Sequence, residues 1–112
     1  MKDQSVYLKH IRDAISKIEV YTVGGRAEFF KNTMIQDAVI RNLEVIGEAV
    51  RNISAEFRKQ HPRIPWRNIT ALRNVLIHEY FGVDLEIVWR VVLRRLPTLK
   101  RQVEALLRTV SG

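Results

Sequence analysis

Along almost the whole chain, apolar residues return at three- and four-residue steps, and no segment alternates with period two. A chain patterned this way hides its apolar surface by packing helix against helix, so no sheet is expected. The first stripe, Leu8, Ile11, Ile15 and Ile18, follows Asp3, a residue type suited to an N-cap, and predicts a helix to about Val23. Gly24-Gly25 ends it, and a short turn around Ala27–Phe30 is expected to carry two aromatics back toward the core. A second long helix opens at Asn32 or Thr33 and runs to about Ile53. Its stripe is Ile35, Val39, Ile46 and Ile53, widened by Ala38, Leu43, Ala49 and Val50. Gly47 interrupts that helix at a cost of about 1 kcal/mol relative to Ala, and a close helix crossing is the usual compensation. Asn42 points inward and needs a hydrogen-bond partner.

Ser54 begins a short capped turn that ends by His61-Pro62, and Pro65 suits the first position of a helix from Trp66 to about His78. Ile69, Leu72, Val75 and Leu76 form its expected buried side. Gly82 and Asp84 mark the next break, with Asp84 as N-cap. The last helix carries Ile87, Val88, Val91, Val92, Leu96, Leu99, Val103, Leu106 and Leu107, and Pro97 should kink or divide it. Trp66 and Trp89 fall at apolar helical positions and read as core. The expected architecture is all-α: four main helices plus one or two short ones, forming one bundle domain over residues 1–112.

Composition narrows the chemistry. No Cys is present, which removes disulfides, thiolate catalysis and zinc-ribbon sites together. His10, His61 and His78 lack metal-ligand spacing, and neither a dinucleotide-binding glycine motif nor a P-loop occurs, so no metal and no cofactor are expected. No apolar run is long enough to cross a membrane and MKDQSVYLKH is too polar for a signal peptide, so a cytoplasmic location is expected. Lys and Arg exceed Asp and Glu, 19 against 12, which points to an anionic partner, nucleic acid first. The excess is concentrated. Between Phe57 and His78 stand Arg58, Lys59, Arg63, Arg67 and Arg73 with no acid; between Ile87 and Val103 stand Arg90, Arg94, Arg95, Lys100 and Arg101, again with none. Either the two stretches form a phosphate-binding surface, with Arg58, Lys59, Arg63 and Arg67 touching RNA, or their long side chains simply solvate the bundle.

The sharpest local constellation runs from Leu72 to Tyr80. Asn74 and His78 are four apart and share a face near the helix C-terminus, whereas Arg73 points away from His78 on a regular helix. A His can move a proton at a 2′-hydroxyl or a leaving oxygen, and an Arg can stabilise charge on a phosphorane, so RNA could be cut without metal or protein nucleophile. The spacing equally allows His78 to cap the helix and Arg73 to be one more surface cation.

Arg73, four residues, His78, one residue, Tyr80 resembles the signature of the HEPN superfamily, in its HepT-like toxin branch. The resemblance extends to Gln36–Ala49, to Pro62-Arg-Ile-Pro-Trp66 and to Val83–Trp89, covering most of the chain between residues 36 and 89. It implies a helical bundle that forms a homodimer, with two signatures meeting in one composite endoribonuclease site. Arg73 would hold the phosphate, His78 would act in proton transfer, and Asn74 would orient either. It further implies a toxin paired with an MntA-like minimal nucleotidyltransferase antitoxin that adenylylates Tyr80; whether tRNA, mRNA or a broader set of RNA is cut stays open. Attached AMP would add bulk and negative charge beside a cationic RNA cleft. A different class also fits the sequence: a non-catalytic helical subunit that binds the nucleotidyltransferase and RNA or nucleotide. A DNA-binding helical regulator ranks last, because no segment has helix-turn-helix spacing.

Overall fold

The computed structural model describes residues 3–79 and 82–111, and every described element is helical. In chain order they are α1 (Ser5–Tyr21), α2 (Gly25–Lys31), α3 (Thr33–Asn52), α4 (Ala55–Gln60), α5 (Trp66–His78), α6 (Leu85–Arg90) and α7 (Leu96–Ser111), with a π-helical turn, Val91–Arg95, joining the last two. The architecture is the expected all-α, HEPN-like bundle: α1, α3, α5 and the α6–α7 run are the main helices, and α2 and α4 are short. α3 is central and packs against α1, α5 and α2, while α1 also packs against α7.

Local chemistry sets the helix starts. Asn32 accepts hydrogen bonds through its side-chain oxygen from the amides of Met34 (2.9 Å) and Ile35 (3.2 Å), which fixes it as the N-cap of α3. Ser54 accepts from the Phe57 amide to start α4, and Asp84 accepts from Glu86 to start α6. Asp3 accepts from the Ser5 amide just ahead of α1, and that bond holds its carboxyl below the ordinary value. Gly25 takes φ +83°, the one positive φ among the described residues, and lets the chain turn from α1 directly into α2.

The core is built from the anticipated stripes. Leu8, Ile11, Ile15 and Ile18 of α1 are fully buried against Val39, Leu43, Ile46 and Val50 of α3 and against Leu99 and Val103 of α7. Phe29 is completely buried and lies 5.2 Å, centroid to centroid, from Trp89. The Trp66 indole N–H donates to the His61 carbonyl at 2.9 Å, so the ring enters the core with its polar atom satisfied. Asn42 donates back to the Ala38 carbonyl at 2.9 Å, supplying the partner its burial demands. Outside the core, Arg26 grips Glu86 with two hydrogen bonds over the ring of Phe30, which lowers the Glu86 carboxyl from its usual value.

Three expectations are corrected. Ala27–Phe30 belongs to a seven-residue helix and is not a simple turn. Val75 is 47% exposed, because α5 touches α3 along Leu72 and Leu76 and no described element covers its next face. Ile87 is likewise exposed. The last helix is interrupted next to Pro97, as expected, by a π-helical segment that separates α6 from α7. The missing N–H and the ring of Pro97 are accommodated by widening the preceding turn, Val91–Arg95, into the π form. Among the described residues no helix is long and apolar enough to cross a membrane.

Candidate active site

Arg73 occupies the place where α5 crosses α3 most closely. A Cβ built on Gly47 would overlap the Arg73 Cβ and lie 2.7 Å from its Cγ, so glycine is what lets the Arg73 stem lie flat on α3. The side chain is only 19% exposed, and its Nε is buried without a hydrogen-bond partner. The guanidinium tip is fixed from two sides. Nη2 pairs with the Glu48 carboxylate at 2.9 Å, and Nη1 donates to the Asn74 side-chain oxygen at 3.0 Å. Glu48 also reaches Arg51 at 3.5 Å. Being half exposed, Glu48 adds little stability, roughly 0–1 kcal/mol for such a pair, and its main effect is to hold the guanidinium in place.

Arg73 opens into a cleft of about 660 Å³ between α1, α3 and α5, whose walls include Tyr7, His10, Arg41, Glu44 and Ile77. His78 does not line this cleft. It is the last residue of α5, exposed, and among the described residues its ring makes no hydrogen bond or ion pair; the carbonyl of Val75 is taken instead by the Glu79 amide at 2.9 Å. The capping role for His78 is therefore unfilled. The structure thus brings Arg73 and Asn74 into contact and sets His78 on the same helix with its imidazole free.

The other expected site residues divide. Tyr80 lies outside the described residues. Arg58, Lys59 and Arg67 line one broad cleft of about 590 Å³ at the α4–α5 end, with Pro62 and Trp66 between them, whereas Arg63 faces a different pocket beside α7. Among the described residues no three His, Asp or Glu side chains converge as a metal site would require. Sequence reasoning missed Glu48 as the partner of Arg73. The two are 25 positions apart, so no local spacing could reveal the pair; the one available signal was Gly47 beside it, which called for a close crossing.

A bundle in which every described element is helical is HEPN-like in its architecture. The chain belongs to the HepT-like ribonuclease family, whose model matches residues 11–106. A Methanocaldococcus jannaschii protein whose name joins a gamma-glutamylcyclotransferase to an RNase is 45% identical over 103 residues, which are 91% of this chain and 46% of that protein. A Caldanaerobacter subterraneus protein named only as an RNase is 41% identical over 108 residues, 96% of both chains. A Thermococcus cleftensis protein, named probable ribonuclease HepT, is 46% identical over 101 residues, 89% of this chain and 92% of that one. The chain thus spans under half of the first relative and nearly all of the other two. No solved structure matches it.

Proposed function

We propose that this chain is a metal-independent endoribonuclease, the toxin of a toxin–antitoxin pair, which cuts RNA at a composite site on the two-fold axis of a homodimer. The observation that carries this reading is the separation of Arg73 and His78. Within one chain the guanidinium faces a cleft that His78 does not line, so a second copy is the simplest way to bring an Arg and a His to one phosphate. Val75 and Ile77, 47% and 39% exposed, lie between them on α5 and supply apolar surface that a second copy would cover.

At such a site His78 takes the proton of the RNA 2′-hydroxyl or delivers one to the departing 5′-oxygen. The 2′-oxygen bonds to phosphorus, the 5′-oxygen leaves, and a 2′,3′-cyclic phosphate remains. Arg73, already oriented by Glu48 and Asn74, stabilises charge on the phosphorane, once Glu48 yields a guanidinium edge to the phosphate. Arg58, Lys59, Arg63 and Arg67 attract the strand without reading its sequence. Tyr80, two residues beyond His78, is the site at which an MntA-like nucleotidyltransferase would attach AMP and block the cleft.

The trans arrangement is tested by mixing. Arg73→Ala and His78→Ala chains, each inactive alone, are co-expressed so that mixed dimers form. In a mixed dimer one Arg–His pair spanning the axis is intact, so activity should return to about a quarter of wild type at statistical exchange. No recovery would place both residues of a working site on one chain. The antitoxin link is tested separately: Tyr80→Phe should keep the fold and lose all label transferred from ATP by the nucleotidyltransferase, and label that persists would move the modification elsewhere.

A non-catalytic binding subunit is the competing reading, and the Glu48 ion pair favours it in one respect, since a structural Arg would be held in just this way. Failure of the wild-type chain to cut RNA would select it.

A further inference from the structure

A second pocket, sharing no residue with the Arg73 cleft, lies between α3, α5 and α7. Its volume is about 310 Å³, at the small end of the range of about 300–1,000 Å³ typical of ligand pockets. Leu43, Ile46, Ile69, Leu72 and Leu99 make its floor apolar. Its rim is cationic: Arg63 comes from the loop before α5, and Arg94 and Arg95 from the π turn beside Pro97. No acid lines it. All three rim arginines are exposed, and among the described residues their guanidiniums have no ion pair or hydrogen bond. Two separate acid-free basic stretches of the sequence thus converge on one apolar mouth.

Three unpaired like charges around an apolar depression repel one another and leave hydrophobic surface wet, and both penalties vanish with the same occupant. That occupant has a compact, flat, largely apolar body and an anionic group fixed beside it. We propose that the pocket seats one unstacked nucleobase of a bound single-stranded RNA, with Arg63, Arg94 and Arg95 on its flanking phosphates. Splayed bases of single-stranded RNA are commonly held this way, stacked on guanidinium planes while cations track the backbone. The π turn is consistent with that use, since such breaks in a helix frequently sit at functional sites. The proposal rests on the ribonuclease reading and adds a base-binding seat that shares no residue with the Arg73 cleft.

The test uses the full chain carrying His78→Ala, so that RNA is bound and not consumed. Two fluorescein-labelled strands of equal length and charge are compared by anisotropy: oligouridylate, and a ribose-phosphate strand without bases. The base-bearing strand should bind about tenfold tighter or more. Adding Thr98→Trp, at an exposed rim position of α7, places an indole across the mouth; it should erase that preference and leave the abasic strand unaffected. Adding Arg94→Ala and Arg95→Ala should weaken both strands and flatten the salt dependence. Uridine monophosphate at the same concentration should not compete, because it lacks the neighbouring phosphates.

Equal affinity for the two strands, or a base preference that survives Thr98→Trp, overturns the seat while wild-type cleavage keeps the ribonuclease reading. Competition by the mononucleotide assigns the pocket to free nucleotide and overturns the RNA seat. No binding of either strand, together with no cleavage by wild type, overturns both.

Discussion

Replacing His78 by Ala is expected to lower RNA cleavage by about a hundred- to ten-thousand-fold, the usual contribution of a positioned proton-transfer group. The structure makes this an unusually clean substitution. His78 is exposed at the last position of α5, and among the described residues its ring touches no carbonyl or carboxylate. Stability should therefore stay within about 0.5 kcal/mol of wild type, as for other surface changes away from special features. His61 is a natural control, because it packs on Phe57 with ring centroids 4.5 Å apart and lies outside the Arg73 cleft. Ala at His61 should leave cleavage intact. Rates and thermal melts of the variants, measured together, check the prediction. Undiminished cleavage by a well-folded His78→Ala chain would remove His78 from the chemistry.

The second large effect comes from a residue with no side chain. On helix propensity alone, Gly47→Ala should stabilise α3 by about 1 kcal/mol. The crossing geometry reverses the sign. The added methyl would overlap the Arg73 stem, whose Cβ is tied to the α5 backbone and cannot swing aside, so α3 and α5 must part. Overpacking of this kind costs about 1–3 kcal/mol. Parting also shifts the guanidinium away from Glu48 and Asn74, and a displacement near 1 Å at a reacting group can cost about a hundredfold in rate. Denaturant unfolding and cleavage rates measure the two effects. A double variant with Arg73→Gly should lose less stability than the two single changes added together, because it removes the Cβ that the new methyl would overlap. A Gly47→Ala chain that is more stable than wild type and fully active would contradict this account of the crossing.

Much of the fold was legible because helical periodicity reports directly on the buried stripe. The α1 and α3 stripes, the Asn32, Ser54 and Asp84 caps and the two core tryptophans all follow from residue type and spacing. What failed depended on neighbours that spacing does not name. Val75 has the same register as Leu72 and Leu76, yet the strip of α5 covered by α3 is narrower than the apolar stripe. α2, at seven residues, is too short to declare a period. Pro97 announced a disruption, but only the structure shows it spread over Val91–Arg95 as a widened turn.

The site divides in the same way. Arg73, Asn74, His78 and Tyr80 stood out in one short segment, and helical spacing already turned Arg73 away from His78; which residues of other helices meet them was not readable there. Gly47 announced a close crossing without saying that the residue crossing it would be Arg73. Glu48 carried no signal of its own, since an exposed Glu on a charged helix face is ordinary. The convergence of Arg63 with Arg94 and Arg95 was visible in the sequence only as two acid-free stretches.

The central claim, RNA cleavage by protein side chains without a metal ion, is tested most directly by incubating purified wild-type chain with RNA in excess EDTA and analysing the ends of the fragments. Attack by the 2′-oxygen leaves a 2′,3′-cyclic phosphate on one fragment and a 5′-hydroxyl on the other, at a rate that added magnesium does not raise. Cleavage that stops in EDTA and returns with magnesium, leaving 5′-phosphate ends, would contradict the account.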